Sequence, residues 1–127
     1  MSIVKMNFVS RYQYSSFKSR PWEDIELFFR TFFDPPKDKM VELVQHIRAS
    51  GLDKRLFAGT SLESLIISIY DDIDRHKDAL HIKYDLGAKL WHFEYFAKPF
   101  QNAEFVRRYP GDKGIAKFDN FIKLIGW

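Results

Sequence analysis

Three residues of this 127-residue chain come closest to a reactive spacing: His81, His92 and Glu94. All fall at alternate positions of strand-like segments, so one face of a hairpin is expected to carry them. Two imidazoles and a carboxylate can hold zinc with one position left open, or work as an acid and base pair. On the polar face of an antiparallel hairpin they need do neither, because such a face is commonly wet. Asp71, Asp72, Asp74 and Asp78 form an acidic connection that lacks the glycine and closing glutamate of a calcium loop. Gly59-Thr60-Ser61 has neither the framing glycines nor the lysine of a phosphate loop. Ser61, Ser64 and Ser68 have no nucleophile-elbow context. Arg107, Arg108, Tyr109 and Lys113 make the densest basic and aromatic group, which a charged edge strand explains equally well. The residue chemistry therefore predicts no catalytic set, no metal and no cofactor.

The elements that must position these residues are legible from periodicity. Trp22, Ile25, Phe28-Phe29 and Phe32-Phe33 recur at helical spacing, with Pro21 opening the helix and Glu23 and Asp24 in its first turn. Met40, Leu43-Val44 and Ile47 mark a second helix over 36–49, with Asp34 as its N-cap, Pro35 at its first position and Ser50-Gly51 at its end. After a Gly59-Thr60-Ser61 break, Leu62 to Tyr70 reads as a buried strand. A hairpin follows, Leu80–Tyr84 and Lys89–Phe96. Pairing Tyr84 with Lys89, Ile82 with Trp91 and Leu80 with Phe93 puts Leu80, Ile82, Tyr84, Trp91, Phe93 and Tyr95 on a core face. The opposite face then carries Lys83, Leu90, Phe96 and Glu94, with His81 directly across from His92. Alternation over 100–109 between Pro99 and Pro110 predicts an edge strand, and Ile115, Phe118, Phe121-Ile122 and Ile125 a final helix over 115–125. Val4, Met6 and Phe8 alternate only briefly, so residues 1–18 read as an edge strand or a loosely docked arm.

Length predicts one domain over 1–127. Helical and strand segments are segregated, so the fold class expected is α+β. Its antiparallel sheet has three to five strands, with about three helices packed mainly on one face. Hydrophobic residues make up 46% of the chain, enough for a core, and most of the 13 phenylalanines belong in it. Twenty basic residues are interspersed with 17 acidic ones. That gives a net charge of +3 without a basic block, a balance that does not favour nucleic acid. There is no cysteine, no apolar signal segment near Met1 and no run of ~20 apolar residues, so no membrane partner and a cytoplasmic location are expected.

Three segments taken together carry a resemblance. They are the Phe-rich helix with Trp22, the stretch Leu56-Phe57-Ala58-Gly59-Thr60-Ser61-Leu62-Glu63-Ser64-Leu65-Ile66-Ile67-Ser68, and the strand Trp91-His92-Phe93-Glu94-Tyr95. In this order they resemble small bacterial immunity proteins of polymorphic toxin systems. The resemblance implies an α+β domain without catalysis that binds another protein, a secreted toxin, and occludes it. Immunity proteins against nucleases are often acidic, and this chain departs from that in its slight basic surplus. The resemblance marks no contact residue. If the helices all cover the Leu80 side, the other face is left for a partner, with Leu90 and Phe96 as anchors beside His81, His92, Glu94, Asp71 and Asp72. Cover by the N-terminal arm, through Phe8 or Tyr12, would close that site. The alternatives are an enzyme or metal protein built on His81, His92 and Glu94, and a weak nucleic-acid binder.

Overall fold

The structure, a computed structural model, describes residues 17–73, 77–97 and 105–127. The expectations for Val4 to Tyr14, Asp74, Phe100 and Ala103 lie outside these residues. Strand β1 (Phe17–Lys18) leads into helix α1 (Trp22–Thr31), where Pro21 is the N-cap rather than the first helical residue. Trp22, Ile25 and Phe29 are buried, and the Trp22 indole donates to the Leu56 carbonyl at 3.0 Å. Phe32 leaves the stripe. It lies past the helix end, 71% exposed, stacked on Phe28 at 4.9 Å.

Helix α2 spans Asp38–Ala49 with Lys37 as N-cap. This corrects the expected Asp34 cap, and the reason is steric. A residue before proline is pushed out of the helical region, so Pro35, which precedes Pro36, cannot be the first helical residue, and Asp34 has no helix to cap there. The Asp34–Pro35 peptide is cis. At the other end Gly51 takes φ +83°, as expected of a glycine closing a helix, and a short 3-10 turn Leu52–Lys54 follows.

The stretch 56–70 holds two strands rather than one. Strands β2 (Phe57–Ser61) and β3 (Ser64–Ser68) form a hairpin whose turn is Leu62-Glu63. Gly59-Thr60-Ser61, expected as a break, is strand. Gly59 is needed for close approach and not for turning: a Cβ there would stand 2.1 Å from Cε2 of Phe17. The turn itself carries none of the usual turn residues, and Leu62 adopts φ +54° with 83% of its surface exposed.

Strand β4 (Asp72–Ile73) pairs with β1 in a small separate sheet. The acidic connection is thus partly strand, with Ile73 buried. The main sheet is antiparallel, in the order β2, β3, β5 (Ala79–Asp85), β6 (Leu90–Phe96), β7 (Phe105–Pro110). Its three inner strands are those expected at its centre, and β7 is an edge as its prolines and arginines predict. Helix α3 (Gly114–Ile125) completes the α+β fold.

Residues directly opposite in an antiparallel pair share a face. Ala58, Ile67 and Leu80 therefore lie on one side, with Leu65 and Ile82, then Phe93, Trp91 and Tyr109. One apolar cluster joins this side to buried residues of all three helices. The aromatic surplus is largely spent here: Trp91 packs edge-on against Tyr84 at 5.1 Å, and Phe121 meets Tyr95 at 5.3 Å and Phe105 at 4.8 Å. His46 of α2 bonds the Asp119 carboxylate of α3 at 2.8 and 3.0 Å, tying two helices together above the sheet.

Candidate functional site

All three helices occupy the Leu80 face, so among the described residues the opposite face is covered by what β1 and β4 bring. Phe17, Ile73, Ile66 and Ala79 form a second, smaller apolar cluster over the β2–β3 side. Cover by the N-terminal segment is therefore real at this end, through Phe17. Phe8 and Tyr12, expected to provide it, lie outside the described residues. Across β5, β6 and β7 the face remains accessible: Lys83, Val106 and Arg108 are exposed, while His81, Leu90, His92, Glu94 and Phe96 are half-buried.

The hairpin register differs from expectation by two residues. Tyr84 opposes Trp91, Ile82 opposes Phe93 and Leu80 opposes Tyr95. A slip of two preserves every side chain's face, so the core and outer sets stand as predicted. What changes is who meets whom. His81 faces Glu94, and His92 faces Lys83. The expected pairing of His81 with His92 is wrong because the four-residue turn spans 86–89 rather than 85–88, which moves the register by two. Lys89 takes φ +57°, and the Asp85 carboxylate accepts the Ala88 amide at 3.1 Å. Among the described residues no three His, Asp or Glu side chains converge as metal ligands would.

The two expected anchors do not form one apolar centre. Leu90 and Phe96 occupy opposite ends of β6, which places them on the order of 20 Å apart. Phe96 lies against the His81 ring at 4.8 Å, and Leu90 opposes Asp85 and Pro110. Asp71 and Asp72 are engaged within the chain. Lys18 reaches Asp71 at 3.0 Å and Asp72 at 3.6 Å, and the Ser19 hydroxyl donates to Asp71. The Ser19 hydroxyl and then Lys18 hold the Asp71 carboxyl below its usual range. Asp78 accepts from the Tyr95 hydroxyl at 3.1 Å.

Between the ends of β6 lies a feature that sequence reasoning missed. Lys83, His92 and Arg108 stand in register across three adjacent strands, a basic row through the middle of the accessible face. Alternation alone put Lys83 and His92 on this face; the row needed the pairing of β6 with β7. Desolvation, Arg108 and Lys83 together lower the His92 pKa, against the opposing pull of Asp85 and Glu94.

His81 is a different case. Burial pushes its imidazole down to about 4. The ring is thus neutral in the folded chain at a pH where it would be charged in the unfolded one. The unfolded chain binds the extra proton below about pH 6.5, so stability falls as pH drops from there towards 4 and levels off beneath it. The expected result is a His81 proton-resonance titration with no midpoint above pH 5, and loss of stability over that window that His81→Gln reduces. A His81 midpoint near 6.5 would show the ring to be solvated instead.

Comparison with protein-family models, curated proteins and solved structures finds no match for this chain. No helix among the described residues is long and apolar enough to cross a membrane.

Proposed function

We propose that this chain is a non-catalytic protein-binding module that acts in the cytoplasm, and that its partner is a toxin it neutralises by direct occlusion. The observation that carries the reading is the basic row Lys83, His92 and Arg108 on a sheet face that none of the described helices covers. A row of three bases flanked by half-buried Leu90 and Phe96 suits an acidic protein surface with apolar contacts at its margins. The three-strand face measures roughly 20 by 15 Å. A stable complex buries about 800 Å² on each partner, so the contact takes in the surrounding turns as well. An acidic partner also agrees with the basic surplus of the chain, and sets a nuclease, whose own surface must attract nucleic acid, among the poorer candidates.

The test is co-expression with the product of a neighbouring toxin-like gene. Growth restored by this chain, together with a stable complex on gel filtration, supports the reading. The double change Lys83→Glu with Arg108→Glu is expected to weaken the complex by on the order of 100-fold, mostly at low salt, and to leave melting unchanged. Acidic groups docked on His92 raise its pKa, so the complex also tightens as pH falls from 7.5 to 6. A toxin still neutralised by the double variant would remove this face as the contact surface. A chain that protects against no neighbouring toxin would remove the function.

A further inference from the structure

A cleft of about 600 Å³ opens on the helix side of the molecule, where the start of α2, the β5–β6 turn and the β7–α3 turn meet. Its volume lies in the range of small-molecule sites. Helix α2 begins there without a side-chain cap. Val41 is the first residue of the helix whose amide bonds backwards, to the Lys37 carbonyl at 3.0 Å. The amides of Asp38, Lys39 and Met40 therefore have no acceptor among the described residues, and they carry the positive end of the helix dipole.

Tyr84 supplies the second observation, independent of the first. Only 8% of it is exposed, it lines the cleft, and its hydroxyl has no hydrogen-bond partner among the described residues. That hydroxyl is fixed in place. Trp91 holds the ring edge-on, the Trp91 indole donates to the Gly111 carbonyl at 3.1 Å, and a Cβ on Gly111 would come within 2.9 Å of the phenol oxygen. The ring is buried while the hydroxyl oxygen stays open to the cleft, beside Gly111, where a ligand can reach it.

Charge narrows the ligand. Lys37 is engaged with Glu63 at 3.4 Å and with the Phe33 ring, and Lys39 with Glu42 at 3.9 Å. Lys89 has no ion-pair partner among the described residues, and it lines the cleft together with Asp38 and Asp112. Three lysines against three carboxylates leave the lining neutral, and Lys89 is the one of the three without an ion-pair partner among the described residues, which suits a single negative charge better than several. Pro35, Pro36 and the exposed Leu86 add apolar wall.

We propose that this cleft binds a small monocarboxylate with an apolar body. The carboxylate takes the free amides at the start of α2 and the Lys89 ammonium, the Tyr84 hydroxyl donates to it, and the apolar body rests on Leu86 and the proline pair. The site is independent of the basic face.

The experiment is a titration of the full chain with hexanoate and with benzoate, followed by amide NMR. The expected result is saturable shifts at Asp38, Lys39, Met40 and Lys89. Hexanamide, which has the same body without the charge, should bind at least about tenfold more weakly. Tyr84→Phe and Lys89→Met should each weaken hexanoate by about tenfold, and Lys83→Glu should leave it unchanged. If Tyr84→Phe fails to fold, the Lys89→Met result decides. Equal binding of hexanamide, tighter binding of inorganic phosphate, shifts that map elsewhere, or no saturation would each overturn the proposal.

Discussion

Gly114→Ala is expected to destabilise the fold by about 2–4 kcal/mol, although alanine is the better helix former. Gly114 is the first residue of α3 and is buried against Trp91. A Cβ there would lie 2.2 Å from Nε1, 2.3 Å from Cδ1 and 2.5 Å from Cε2 of the indole. The ring cannot swing aside. It is 1% exposed, held by Tyr84 and Phe93, and its Nε1 donates to the Gly111 carbonyl. Either α3 lifts off the sheet or the indole loses its bond and strains its packing. Overpacking costs about 1–3 kcal/mol, and a stranded buried donor a similar amount. The gain from alanine's propensity, at most about 1 kcal/mol, cannot offset both. Thermal and urea unfolding measure the effect, with Gly87→Ala as control: its Cβ would meet only the Asp85 carboxylate, at an ordinary 3.5 Å. Should the two variants melt together, α3 does not pack on Trp91 as described.

Ile67→Asp is expected to cost at least about 3 kcal/mol, enough to leave a domain of ordinary stability marginal. Ile67 is fully buried on the helix face of β3, between Ala58 of β2 and Leu80 of β5. Among the described residues no charged side chain is buried, so the carboxylate has no buried cation to meet there and takes up a proton to remain inside. Its folded pKa then stands above the unfolded value near 3.9, and the penalty shrinks as pH falls below the folded pKa. Ile67→Val, which removes one methyl, should cost only about 0.5–1.5 kcal/mol. Near-native melting of the aspartate variant at pH 7 would mean that β3 is not an inner strand.

Both predictions use positions that sequence reading treated unequally. Ile67 was legible as core, because a β-branched apolar run between turn residues and acids has few other readings. Gly114 carries no such local signal, since the reason for it is an indole more than twenty positions away in the chain. The same contrast governs Gly59. Its neighbours Thr60 and Ser61 made it look like a break, whereas Phe17 packs where its side chain would be.

The sequence by itself determined the longer elements and which way their side chains face. Helical spacing and two-residue alternation are local properties, and they placed α1, α2, α3, β5, β6 and β7, together with the inner and outer faces of the central hairpin. Only the tertiary structure decided which residues meet. A register slip of two residues leaves alternation intact, so His81 opposite Glu94 and the row Lys83, His92 and Arg108 follow from turn geometry and strand order. Likewise, the prolines marked the break between α1 and α2, but the cleft at the start of α2 exists because two distant turns close around it. Patterning is set by burial of one face against water, a signal carried every second or third residue. Contact between elements is set by packing and chain closure, which no short window of sequence contains.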